Sequence, residues 1–172
     1  MRIDAQLWHK WITRIIGLVL IGLFVFLIIQ KIVPSKEKIY SMDFEQTSDF
    51  VYGPFPEGRV ELEQGILQVN YEPIYFNVYS PRKFKRAQVK ITYKLPEGMD
   101  ARFGVKLDVN DWGYYLEPLP NYSSEWNEVV FEYDLSHARR TKNKLQFMLA
   151  APGVGDSEEK ILIDEVEIKL IK

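Results

Sequence analysis

From Leu67 onward apolar and polar positions alternate along the chain. Leu67, Val69 and Tyr71 are spaced by Gln68 and Asn70, and Ile74, Phe76 and Val78 by Tyr75 and Asn77. The same rhythm runs through Val89–Leu95, Phe103–Val109, Val129–Leu135 and Leu145–Leu149. A two-residue period puts one set of side chains on each face of a strand. Each segment therefore predicts a strand with one buried and one wet face, as in antiparallel sheets. Turn residues separate them: Pro54–Gly58, Glu63–Gly65, Ser80–Pro81, Pro96–Gly98, Asn110–Gly113, Pro118–Asn121 and Pro152–Asp156. No long helical period intervenes; Ser136–Lys142 suits one short turn. About nine or ten short strands without intervening helices predict an all-β antiparallel sandwich over residues 39–172. Spacing alone leaves immunoglobulin-like and jelly-roll topologies open.

The N-terminal pattern is different. Ile15 to Ile29 is fifteen residues without a polar side chain, and Trp11 to Val33 extends the segment to 23, interrupted by Thr13, Arg14, Gln30 and Lys31. At about 1.5 Å per residue that is roughly 35 Å, against a hydrocarbon core of about 30 Å. The expectation is a transmembrane helix over 11–33, after a tail of residues 1–10 and before a linker of 34–38. Trp8 and Trp11 suit an interfacial belt, Arg14 and Lys31 suit headgroups, and Pro34 ends the helix. A cleaved leader would need a site at Val33-Pro34-Ser35, where proline is unfavourable. Three basic residues on each side leave the charge rule nearly balanced. The free amino terminus tips the expected orientation to N-terminus inside. The expected localisation is thus a single-pass membrane protein with an extracytoplasmic C-terminal domain and the lipid bilayer as a partner.

Composition narrows the chemistry. The chain has 22 Lys+Arg, 24 Asp+Glu, no Cys and two His. Disulfides, thiol nucleophiles and cysteine-ligated metals are excluded. A His-based triad or zinc site is disfavoured, and the net charge of −2 disfavours a nucleic-acid partner. Walker A, G-x-G-x-x-G and G-x-S-x-G motifs are absent from the sequence. The carboxylate pairs Glu61/Glu63, Asp108/Asp111 and Glu158/Glu159 read as solvated surface, and no enzymatic activity is expected. Residues 35–172 hold 18 basic and 23 acidic side chains, a net of −5, with 20 aromatic residues to build a core. Two basic clusters, Arg82/Lys83/Lys85/Arg86 and Arg139/Arg140/Lys142/Lys144, suit exposed turns or contact with an anionic lipid or polymer.

Two aromatic groups stand out as ligand-binding candidates. Tyr75, Asn77 and Tyr79 share the wet face of one strand. Trp112, with Tyr114 close behind, sits in the Asn110–Gly113 loop. Flat rings beside an amide can stack on a sugar and hydrogen-bond its hydroxyls. The plainer alternative is that these rings pack on the sheet or meet another chain. A further anomaly lies near the C-terminus. Asp164 falls in phase with Leu162, Val166, Ile168 and Leu170, which would turn a carboxylate inward. A β-bulge at Asp164–Glu165 is the alternative, because Ile161 and Ile163 lie on the opposite phase.

The opening Ser41–Gln46 (SMDFEQ) and closing Lys160–Ile171 (KILIDEVEIKLI) resemble the first and last strands of jelly-roll carbohydrate-binding modules of the galactose-binding-like superfamily. Strands Lys90–Tyr93 and Leu145–Phe147 have a compatible rhythm, so the resemblance covers roughly residues 39–171. It implies a jelly roll with its first and last strands side by side. It also implies a structural Ca²⁺ held by Glu45 and Asp164. The functional expectation is a membrane-anchored module for a glycan or cell-envelope polymer, using Tyr75, Asn77, Tyr79, Trp112 and Tyr114. The alternative is an accessory subunit of a membrane assembly, with the helix and sandwich contacting a membrane-protein partner.

Overall fold

The computed structural model describes residues 5–32, 36–44, 50–109, 113–120 and 122–172. The chain divides into two compact units, Met1–Lys36 and Glu37–Lys172.

The first unit is one helix, α1 (Ala5–Ile32). Ile15, Leu18, Val19, Leu23, Phe24 and Phe26 are exposed along it. Among the described residues no helix is long and apolar enough to cross a membrane. This corrects the expected single-pass membrane localisation; the bilayer partner and the orientation rested on the same span.

The second unit is all-β. Its strands are β1 (Glu37–Asp43), β2 (Val51–Phe55), β3 (Val60–Glu63), β4 (Ile66–Val69), β5 (Ile74–Tyr79) and β6 (Arg86–Leu95). They continue with β7 (Arg102–Lys106), β8 (Tyr114–Pro118), β9 (Ser123–Asp134), β10 (Arg140–Thr141), β11 (Lys144–Ala150) and β12 (Ile161–Ile171). One sheet runs β3-β4-β12-β6-β9 with β1 also on β12; the other runs β2-β5-β11-β7-β8 with β10 also on β11. The chain changes sheet at every step except β3 to β4, β7 to β8 and β10 to β11. At each change of sheet the inner side chains of consecutive strands face one another. First and last strands pair, Ser41 opposite Glu167 and Asp43 opposite Glu165, as the resemblance implies.

Within the strands the alternation seen in the sequence is the inward set, whereas Tyr71 and Val109, beyond the ends of β4 and β7, are exposed. Ile74, Phe76 and Val78 of β5, and Leu145, Phe147 and Leu149 of β11, are buried from one sheet. Val89, Ile91, Tyr93 and Leu95 of β6, and Phe131 and Tyr133 of β9, are buried from the other. The Phe103 and Phe147 rings stack at 5.9 Å, and Tyr133 meets Phe147 edge-on at 6.2 Å. The Tyr133 hydroxyl donates to the Phe103 carbonyl oxygen at 2.8 Å, joining β9 to β7 of the opposite sheet. Burial holds its pKa far above the ordinary tyrosine value.

Strand β12 corrects the inward reading of Asp164. Its register with β6 shifts between Ile163 and Glu165, so the bulge alternative is the one adopted. Ile161 and Ile163 lie inward with Val166, Ile168 and Leu170, while Asp164 is exposed. The extra residue lets both apolar phases reach the core without burying a charge.

Replacing Tyr133 by Phe keeps the ring and removes the bond between the sheets. The expected loss is about 1–1.5 kcal/mol, whereas Phe147→Ala is expected to cost about 3–5 kcal/mol through its cavity. Urea unfolding checks both; a Tyr133→Phe midpoint equal to wild type would show that the hydroxyl bond contributes nothing.

Candidate functional site

Filling the inner face of β5 with Ile74, Phe76 and Val78 turns Tyr75, Asn77 and Tyr79 outward, where each is half-buried. The antiparallel register sets Met148 opposite Tyr75, Gln146 opposite Asn77 and Lys144 opposite Tyr79. On the other side of β5, Tyr52 of β2 lies opposite Asn77. Beyond β11, Lys106 of β7 lies opposite Tyr114 of β8. Five strands thus share one polar and aromatic outer face. At about 4.8 Å per strand it measures roughly 19 Å across.

Side-chain contacts tie this face together. The Tyr114 hydroxyl donates to Gln146 Oε1 at 2.7 Å, and Gln146 Nε2 donates to Asn77 Oδ1 at 3.3 Å. The rings of Tyr75 and Tyr114 lie 6.4 Å apart. Lys106 Nζ stands 5.7 Å from the centre of the Tyr114 ring, and Lys144 Nζ 3.4 Å from that of Tyr52. Tyr79 packs on Phe50, ring centres 6.1 Å apart. Burial, aided by the neighbouring Tyr75, pushes the Tyr114 pKa up to about 12. Tyr114 therefore remains a hydrogen-bond donor at neutral pH.

The link from β8 to β11 passes over β7, and Gly104 makes room for it. A Cβ at Gly104 would lie 1.7 Å from the Tyr115 carbonyl oxygen and 2.8 Å from Leu116 Cα. The β8 backbone at Tyr115 thus occupies the space of a side chain on β7, one register pair away from Tyr114. At one end of the face a groove of about 400 Å³ opens between Asn77, Lys106, Arg139, Thr141, Lys142, Lys144 and Gln146. Lys142 and Asn143, at φ 50° and 59°, form the two-residue turn between β10 and β11.

Of the residues singled out in the sequence, Tyr75, Asn77, Tyr79 and Tyr114 come together on this face. Trp112 and Glu45 lie outside the described residues. Asp164 is exposed on the bulge, and among the described residues no group of three His, Asp or Glu could hold a metal ion. The described residues alone do not fit the implied calcium site. Sequence reading passed over Tyr52, Lys106 and Gln146. The alternation around Phe147 already turned Gln146 outward, but the pairing that places it beside Asn77 joins positions 69 residues apart. A larger hollow of about 960 Å³ lies at Gln68, Lys94, Tyr122, Glu158 and Leu162 of the other sheet. The ring beside it, Trp126, has Lys94 Nζ 4.8 Å from its centre. The tyrosine face therefore has the more extensive set of linked aromatic and amide groups.

Two predictions follow from this geometry. Gly104→Ala pushes β8 from the face and is expected to cost about 1–3 kcal/mol; retained stability with an unshifted Tyr114 resonance would show that the strands do not meet there. The raised Tyr114 pKa gives stability that is fully present below about pH 10 and lost as pH rises through about 12. Wild type is therefore expected to lose stability relative to Tyr114→Phe over that window, measured by urea midpoints; parallel curves would contradict the shift.

No protein-family model matches the sequence, and no curated protein matches it. Solved structures do. The chain is similar to the xylan-binding module CBM15, with TM-score 0.51 and 10% identity over 78% of this chain and 97% of that one. CBM35 from Cellvibrio japonicus aligns at TM-score 0.48 and 15% identity, over 76% and 92% of the two chains. The CBM22-1 xylan-binding domain from Paenibacillus barcinonensis aligns at TM-score 0.46 and 15% identity, over 81% and 99%. At such identities the likeness to CBM15 is one of fold: the all-β unit of this chain is a sandwich of the kind found in that carbohydrate-binding module.

Proposed function

We propose that the β-sandwich is a non-catalytic glycan-binding module whose ligand lies across the outer face of β5, β11 and β8. One observation carries this reading: Tyr75 and Tyr114 flank a chain of hydrogen bonds, Tyr114–Gln146–Asn77, on an accessible face. A pyranose ring has an apolar face that stacks on tyrosine and a rim of hydroxyls that seeks amides. Asn77 and Gln146 have spare donor and acceptor capacity beyond the bonds between them. The five-strand width suits an oligosaccharide better than a single sugar. The shared fold with a xylan-binding module makes xylan oligosaccharides a reasonable first probe.

Isothermal titration of the full chain against a panel of soluble oligosaccharides, xylohexaose included, tests the reading. Binding by wild type is expected to fall at least about tenfold in Tyr75→Ala, since a stacked aromatic carries about 1–3 kcal/mol in comparable stacking contacts. Asp164→Asn, remote from this face, is expected to leave affinity unchanged. Binding that ignores both Tyr75→Ala and Tyr114→Ala would remove this face from the site.

A further inference from the structure

The groove at one end of the tyrosine face is lined by Lys106, Arg139, Lys142 and Lys144, together with Asn77, Gln146 and Thr141. Among the described residues its lining includes no carboxylate. The surrounding segment, residues 35–172, is net acidic at −5, so the cationic groove is a local arrangement. The cations come from separate places in the sequence. Lys106 ends β7, Arg139 precedes β10, Lys142 lies in the turn and Lys144 begins β11. The Arg139 amide donates to the Lys106 carbonyl oxygen at 2.9 Å, closing β7 onto the segment before β10.

Among the described residues, Lys106, Lys142 and Lys144 form no ion pair with a carboxylate. Lys106 and Lys144 instead stand over the Tyr114 and Tyr52 rings of the platform. A ring holds an ammonium in place without neutralising it, so its charge remains for a ligand. Asn77 and Gln146 belong to groove and platform alike. A chain lying on the tyrosines therefore continues into the cations. The groove's volume of about 400 Å³ falls in the small-ligand range of roughly 300–1,000 Å³.

We infer that the glycan is anionic, a polymer of sugar acids. Stacked rings lie on Tyr75 and Tyr114, and a carboxylate enters the groove between Lys106, Lys142 and Lys144. This rests on the glycan-binding reading above and specifies the ligand's charge. Charge-assisted hydrogen bonds from ammonium to carboxylate supply the selectivity. A nucleic acid would also meet cations and aromatic rings. The groove is short, and the amides between the tyrosines are suited to ring hydroxyls.

The test is titration of the full chain with polygalacturonate, alginate and hyaluronate, each beside its neutral methyl-ester form, and with oligo(dT). At least one acidic polymer is expected to bind about tenfold or more tighter than its ester. The preference should shrink as ionic strength rises. Lys106→Gln/Lys142→Gln is expected to weaken binding of the acidic polymer more than binding of its ester, so that the ratio of the two affinities falls; an unchanged ratio overturns the assignment of the charge to this groove. Equal affinity for every acid and its ester, with sensitivity to Tyr75→Ala, overturns the charge assignment and leaves the glycan site standing. Binding of none of these polymers by wild type overturns the charge assignment, and the xylohexaose panel then decides whether the glycan site stands. Tighter binding of oligo(dT) than of every glycan assigns the groove to nucleic acid and overturns the inference.

Discussion

The inner faces of two sheets must fill one another, and Tyr133 sits where they meet. Its ring packs against Phe147 and its hydroxyl bonds the Phe103 carbonyl, so β9 of one sheet is tied to β7 of the other. A buried hydroxyl without a partner would be costly, which sets the distance as well as the contact. Once that register is set, every second residue is committed to the core. The residues between have no choice of face. Tyr75, Asn77 and Tyr79 lie outward because Ile74, Phe76 and Val78 lie inward. The binding platform is thus the reverse side of the packing that holds the domain together.

Alternation alone would give five parallel ribbons of outward side chains. Gly104 changes that: β8 lies where a β7 side chain would stand, and Tyr114 reaches across to β11. The resulting Tyr114–Gln146–Asn77 chain fixes the amides by hydrogen bonds to one another. Ordering them before a ligand arrives reduces the entropy lost on binding.

Charge is organised on a finer scale than composition suggests. An acidic segment carries a cationic groove because β7, the turn at Lys142 and β11 converge there. Elsewhere, lysines find carboxylates: Lys90 lies 3.4 Å from Glu128, and Lys169 2.9 Å from Glu37. Such exposed pairs contribute little to stability. In the groove Lys106 and Lys144 stand over tyrosine rings, and among the described residues no carboxylate pairs with them.

The strands, their buried faces and the all-β class were legible because a two-residue period needs only neighbouring positions. Val89 to Leu95 announces its inward face without reference to any partner. The outward placement of Tyr75, Asn77 and Tyr79 followed by the same logic. Asp164 was ambiguous: a bulge changes phase by one residue, and both phases of β12 are apolar on one side of it. Hydropathy found the helix near the N-terminus, but its apolar run did not establish a membrane span. The sequence by itself determined which side chains each strand buries, since local alternation and hydrophobic burial suffice for that. Only the tertiary structure decided that Gln146 meets Asn77, that Tyr114 reaches Gln146 across β7, and that Lys106 joins the Lys142 turn. Those meetings depend on strand pairing and interlayer packing, and their free energy comes from contacts between residues far apart in the chain.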